Sequence, residues 1–476
     1  MPKIDLAPWQ SVALFNPYEH FAMICGIATG KTFTGSHFAI MHFEKYPELT
    51  GFIGANSYDQ LSHATLRELF YWLDQYGWDY VVDRIPPEEW GGNNRQFKSY
   101  KNILTVKNPR NGKVSHAFVR VLQKANPLRG VEFSWYWVDE SRDTPLNTHD
   151  VILSRMRESE YRRGLVTTTS NAEDWVYQRF VKMNLGKTYG SLHVPTIESV
   201  KHGIITEEFY TLLRASYSEM MAAQELDAQH VNVMSGRAYY AASKKNQSHV
   251  APWGAKHPDP GYPLIVGCDF NFSPAPCIWM VGQEGTMPDG RRGIHWFGEI
   301  VENQSSTENM TITLINRYPD FFYQCYGDAS GTKGSTSNHG ETDTVQMAQI
   351  FSEYGAGFGL DFDQSNPRVK DRVENMNRMF CNSLGEVSQT YDPDKCPYFD
   401  GDIRVVGWKQ VNDSIKRNGK LDDTGDKNRT HATDGAGYAI WKRFKPVTIG
   451  QTGGTVERAH SYLSKIGVGL NYGNAG

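Results

Sequence analysis

The chain has 476 residues, 39% of them hydrophobic and 21% charged, with a formal net charge of −4. At ~150 residues per domain the length suggests two or three domains, and the composition excludes a disordered protein and a polycation. No stretch approaches the ~18 uninterrupted apolar residues of a membrane span, which excludes an integral membrane class.

Met1-Pro-Lys-Ile-Asp-Leu lacks the charged-then-apolar layout of a signal peptide, so the expectation is a protein that stays in the cytosol. Six cysteines, Cys25, Cys268, Cys277, Cys325, Cys381 and Cys396, form no C-x-x-C pair, and several lie inside apolar runs. That usage suits reduced, buried thiols better than disulfides or zinc. Charge is balanced along the chain, with 27 Lys+Arg against 26 Asp+Glu over residues 1–245 and 22 against 27 over 246–476. Any nucleic-acid partner must therefore be held by local basic faces. Arg368/Lys370/Arg372 and Lys416/Arg417/Lys420 are candidates, and each can equally be a solvated surface.

Residues 1–195 alternate apolar runs with helical stretches. Phe21–Cys25, Thr50–Ile53, Ala117–Val121, Val131–Val138 and Gly164–Thr168 read as strands, and the alternation predicts a parallel α/β sheet. Residues 196–242 open with the capping signal Thr206-Glu-Glu-Phe and good helix formers, which predicts a small helical subdomain. Apolar periodicity then disappears over 243–262, the best linker candidate. Residues 263–447 carry strands at 263–270, Cys277–Val281, Gly293–Ile300 and Phe321–Gly327, with a Pro-Asp-Gly turn at 288–290, and read as a separate α+β domain. Residues 448–476 are Gly-rich and polar, as expected of a mobile tail.

Cys25-Gly26-Ile27-Ala28-Thr29-Gly30-Lys31-Thr32 follows the first strand and runs into a helical stretch. A tight loop at a helix N-terminus gathers backbone N–H groups and the helix dipole around one point, where phosphates can be cradled. Gly26 and Gly30 would shape the loop, Lys31 would reach the β/γ-phosphates, and Thr32 would ligate Mg²⁺. Cys25 stands where the pattern has glycine, and an ordinary strand-to-helix turn is the plain alternative. Val131–Val138 ends in Asp139-Glu140, 108 residues after Lys31. Asp139 can hold magnesium while Glu140 polarises the attacking water. Thr167-Thr-Thr-Ser-Asn171 ends another strand; Thr169 and Asn171 could sense the γ-phosphate or belong to an ordinary loop. Asp269 and Asp328 close two strands, and Asp434 precedes the helical stretch Gly435–Arg443. Three such carboxylates suit a two-metal nuclease, although each alone can be a turn residue or helix cap. His431 can assist with a proton or be a loop histidine.

In order and spacing these motifs resemble the large terminase subunit of tailed bacteriophages. To those above the resemblance adds Leu6-Ala-Pro-Trp-Gln10, similar to an adenine-sensing glutamine motif; Gly51-Phe-Ile-Gly-Ala-Asn-Ser-Tyr-Asp-Gln60; and Leu128-Arg-Gly130. It implies an α/β fold in which a P-loop ATPase core of the additional-strand type over 1–195 and a helical lid over 196–242 precede a ribonuclease H-like α+β nuclease over 263–447. It also implies ATP and Mg²⁺ as cofactors, with Mn²⁺ possible at the nuclease. Double-stranded DNA, a portal protein, a small terminase subunit and a ring of like subunits are the implied partners. The implied location is the host cytoplasm and transiently the procapsid portal vertex, not the mature virion. Many members carry an arginine inside the phosphate loop, where this chain has Gly26 and Ile27. Arg129 looks like the alternative, acting on its own or a neighbouring site, unless it pairs with a carboxylate such as Glu132. The rival readings are a helicase or translocase whose C-terminal half binds nucleic acid without cutting, and a non-enzymatic packaging scaffold.

Overall fold

The computed structural model describes residues 4–91, 97–122, 130–172, 174–183, 186, 188–254, 258–270, 275–333, 341–409, 419–422, 425–426 and 428–445. Arg129, Lys416, Arg417 and the tail lie outside them. The described residues divide into two compact units: one within 4–210 and 223–232, the other within 211–222 and 233–445. The division therefore passes through the predicted helical subdomain and ahead of the 243–262 stretch. The latter is anchored in the second unit, where buried Asn246 donates to the Phe380 and Gln389 carbonyls.

The first unit is built on eight strands: β1 (His20–Cys25), β2 (Gly51–Ala55), β3 (Asp79–Val82), β4 (Ile103–Lys107), β5 (Val114–Val121), β6 (Trp135–Asp139), β7 (Arg163–Thr168) and β8 (Tyr189–Val194). Their order is β3-β4-β5-β2-β6-β7-β1-β8. Pairing is parallel from β5 to β8 and antiparallel among β3, β4 and β5. β7 stands between the strand feeding the phosphate loop and the strand ending in Asp139. Both sheet faces are covered, so β6 is apolar on both: Trp135 and Trp137 pack into one core, Tyr136 and Val138 into the other. The expected strand at Val131–Val138 begins only at Trp135, because Phe133 and Ser134 donate to the Arg155 and Thr50 carbonyls outside the ladder.

The second unit contains β9 (Leu264–Asp269), β10 (Cys277–Thr286), β11 (Arg292–Glu302), β12 (Tyr323–Gly327), β13 (Phe358–Leu360) and β14 (Gln389–Tyr391). They form a mixed sheet ordered β13-β12-β9-β10-β11-β14. β9, β10 and β11 are antiparallel neighbours, while β12 runs parallel to β9. The helix His431–Arg443 packs on β9 by backbone contact: a Cβ on Gly267 would fall 2.3 Å from the Gly435 oxygen, and one on Gly435 2.6 Å from the Gly267 oxygen. The six cysteines are free thiols, five of them buried, and no helix among the described residues is long and apolar enough to cross a membrane.

Because backbone cannot yield as a side-chain tip can, Gly267→Ala is expected to cost about 1–3 kcal/mol by overpacking. Gly261→Ala, whose new Cβ meets only a side-chain oxygen at 3.3 Å, should stay within about 0.5 kcal/mol of wild type. Urea denaturation measures both; equal losses would contradict the close helix-on-strand contact.

Candidate functional site

The phosphate loop leaves β1 at Cys25 and enters the helix Lys31–Lys45 through Gly30, whose φ of 78° is left-handed. Gly26 is required sterically, since a Cβ there would lie 2.3 Å from Thr196 Oγ1 and 2.4 Å from the Leu226 oxygen. Around the loop, Gly26 N–H donates to Val194, Ile27 N–H donates to Glu225, and the Thr196 and Ser199 hydroxyls donate to the Ile27 and Ala28 carbonyls. Gln10 accepts from its own helix start at Ala7 N. Its Nε2 lies 2.5 Å from where a Gly30 Cβ would sit, so it abuts the loop.

Lys31 is buried, and its Nζ donates to the Cys25 and Gly26 carbonyls and to Thr169 Oγ1 at 3.1 Å, with Glu140 at 3.7 Å. Asp139 has no solvent exposure. Its Oδ1 accepts from Thr167 at 2.7 Å; its Oδ2 accepts from Thr65 at 2.8 Å and Thr32 at 3.2 Å. Burial pushes the Asp139 carboxyl up to about 6, the neighbouring Glu140 adds to the rise, and the Thr167 and Thr65 hydroxyls and Lys31 oppose it. Glu140 sits in the left-handed region at φ 48° and ψ 56°. Lys31, Thr32, Asp139, Glu140 and Thr169 thus meet at the ends of β1, β6 and β7. Asn171 lies just beyond, in an isolated bridge, where its carbonyl accepts from Asp174 N–H. Thr65, Thr196, Ser199 and Glu225 escape local motif reading, being tied to the site by contacts across the fold.

In the second unit Asp269 ends β9, Asp328 follows β12, and Asp434 stands in the first turn of the helix His431–Arg443. This helix starts four residues before the expected Gly435. Consequently His431 is no loop residue: its Nδ1 meets Asp269 Oδ2 at 2.8 Å. Burial pushes the Asp269 carboxyl up to about 6; His431 opposes the rise, while Asp434 and Asp328 add repulsion. The same three carboxylates act together on Tyr438, whose hydroxyl is raised by burial against the opposing field of Arg372. They share one region without converging tightly. Among the described residues, the group whose ligand atoms all lie within 4.8 Å is His249, Asp392 and Asp394. Asp328 also caps a short turn through Ser330 N–H, so its turn role is real. Arg372, read as part of a basic surface cluster, is buried, stacks on Tyr438 and donates to Asp434 Oδ1 at 2.6 Å. Arg368 pairs locally with Asp371.

A strand-loop-helix turn and an acidic strand end, with one strand between them in the sheet, make the architecture that of an additional-strand P-loop fold. Residues 23–247 match the family model described as terminase large subunit, T4likevirus-type, N-terminal. The fold is similar to that of a large terminase from a thermophilic bacteriophage, at 13% identity over 92% of this chain and 99% of that one, TM-score 0.58. The same phage protein in complex with ADP matches at 12% identity over 94% and 100%, TM-score 0.57. Its complex with ATP-γ-S gives 13%, 94%, 100% and 0.56. No curated protein matches the chain. Residues 23–247 are thus similar to the N-terminal part of large terminase subunits, and the chain shares the fold of a phage large terminase over most of its length.

Asp269 gives this site a pH signature. Between about 4 and 6 the folded carboxyl binds a proton that the unfolded one has released, so its contribution to stability is largest at low pH and is lost as pH rises through 6. Asp269→Asn, which cannot titrate, should therefore gain stability relative to wild type from pH ~4.5 to pH ~7.5, by about 2 kcal/mol. Urea midpoints in chelator at the two pH values measure the gap; a gap that shrinks would contradict the buried, repelled carboxylate.

Proposed function

We propose that this chain is a large terminase subunit that hydrolyses ATP to drive double-stranded DNA into a procapsid and cuts concatemeric DNA with a two-metal endonuclease. The observation that supports it most is the Asp139 cluster, where Lys31, Thr32, Thr167 and Glu140 surround one buried carboxylate. Two adjacent carboxylates with only Lys31 paired to them in this cluster form an oxygen-rich, cation-poor donor set, which fits Mg²⁺ held through Thr32 and Asp139. When bound, the ion would neutralise phosphate charge. Lys31 would leave its loop carbonyls for the β/γ-phosphates, the loop N–H groups would cradle them, and Glu140 would orient the attacking water. Gln10 against Gly30 would read the adenine edge, and Thr169 with Asn171 would register the γ-phosphate. The ATP-γ-S and ADP complexes of the thermophilic phage protein are in keeping with this reading.

For cutting, the mixed sheet with β9, β10 and β11 antiparallel and β12 parallel to β9 supports a ribonuclease H-like unit. Asp269, Asp328 and Asp434, hard oxygen donors with mutual repulsion, fit Mg²⁺ or Mn²⁺. Residues 1–195 would supply the ATPase core, 196–242 the lid and 263–447 the nuclease. Portal protein, small terminase subunit and a ring of like subunits complete the proposed setting, in the host cytoplasm and at the portal vertex.

Lys31→Ala is expected to abolish ATP turnover. Glu140→Gln should leave nucleotide binding intact and slow hydrolysis by at least ~10²-fold, the scale of a lost general base. Asp269→Asn should lose plasmid cleavage in Mg²⁺ or Mn²⁺ and keep the ATPase. An Asp269→Asn protein that still linearises plasmid returns the three aspartates to turn residues.

Arg129 is proposed as the arginine finger, worth ~10³–10⁵ in rate. Mixing Arg129→Ala with Lys31→Ala subunits should recover turnover if it acts on a neighbour. Wild-type turnover by assembled Arg129→Ala protein alone would end that assignment.

A further inference from the structure

Glu140 occupies a left-handed backbone conformation that non-glycine residues hold only where their surroundings enforce it. Two residues on, Arg142 reaches the Ala223–Asn232 segment and donates from Nη1 to Glu225 Oε1 at 2.5 Å. The pair is shielded, with side-chain exposures of 17% and 6%, and Gln224 Nε2 donates to the same oxygen at 2.9 Å. The backbone carbonyl of Glu225 accepts from Ile27 N–H inside the phosphate loop, and the next carbonyl, Leu226, accepts from Thr196 N–H. Ser170, beside Thr169, donates its hydroxyl to the Gln224 and Gln229 carbonyls. One residue thus holds the phosphate loop with its main chain and the turn after Glu140 with its side chain. A shielded, charge-assisted contact of this kind carries geometric specificity.

We propose that the Arg142–Glu225 ion pair is a positioning contact for ATP hydrolysis, fixing the Glu140 turn against the phosphate loop. This rests on the ATPase reading above. Neither residue need touch nucleotide: the pair acts through Glu140, whose carboxylate must face the attacking water, and a misplacement of ~1 Å at such a group can cost ~10² in rate.

The test uses the full chain with DNA present, measuring kcat and KM for ATP, the Kd of a fluorescent ATP analogue, and thermal unfolding. Glu225→Gln keeps volume and removes charge; Arg142→Ala removes the fork. Both should lower kcat by ~10- to 100-fold while the analogue's Kd stays within about 3-fold. The Arg142→Ala/Glu225→Gln double variant should be no slower than the slower single, and Arg142→Lys should recover part of the rate. Folded Glu225→Gln protein with wild-type kcat overturns the proposal and leaves the ATPase reading standing. Multiplicative losses in the double variant overturn it too, since the residues would then act separately. If wild type and Lys31→Ala alike show no turnover, the ATPase reading fails and the positioning role with it.

Discussion

The first unit depends on one carboxylate kept out of water. Burying an ionised group is costly unless hydrogen bonds replace its hydration, and Asp139 receives hydroxyls from three separate places: the phosphate-loop helix, the turn before the helix Leu66–Gln75, and β7. The strand order makes this possible. β7 lies beside β6, so Thr167, in register with Asp139, reaches Oδ1 directly. It also accepts from Trp137 Nε1, which locks its hydroxyl in place. Trp137 in turn needs the missing side chain of Gly35, where a Cβ would fall 1.9 Å from its ring. Core packing and site chemistry are therefore one network, and the helix carrying Lys31 is seated by the residues that orient Asp139.

The second unit places a buried carboxylate at a strand end by another route. Asp269 is held by a histidine and repelled by two aspartates. The two glycines in backbone contact, Gly267 and Gly435, fix how the helix lies on β9, and so bring His431 and Asp434 to the end of that strand. Arg372 offsets part of the acidic charge through Asp434 while its guanidinium lies 4.4 Å from the Tyr438 ring centre. This compensation explains how an acidic cluster persists in the fold.

Sequence legibility follows burial and locality. β1, β2, β7, β9 and β12 are readable to within a few residues because short, largely apolar runs mark strands buried along most of their length. β3 presents a partly exposed edge and β8 alternates, while β13 and β14 are three residues each, too short for any period to show. Lys31, Thr32, Asp139 and Glu140 are readable because their chemistry is concentrated at strand ends. Thr65 is not, since its importance comes from a contact 74 residues away. Arg372 misleads because charge spacing cannot tell which face of the helix Val369–Phe380 is buried; that helix buries Arg372, Glu374, Asn375 and Asn377 together.

The Ala223–Asn232 segment joins these themes. Its carbonyls accept from Ile27 of the phosphate loop, Thr196 after β8, and Ser170 and Ala172 after β7. Its Glu225 side chain takes the turn after β6. The segments on both sides of it, 211–222 and 233–445, belong to the second unit. Main-chain carbonyls are obligatory acceptors that must be satisfied wherever the loops move. The short stretch that ties these loops together is covalently continuous, at both ends, with the unit that bears Asp269, Asp328 and Asp434.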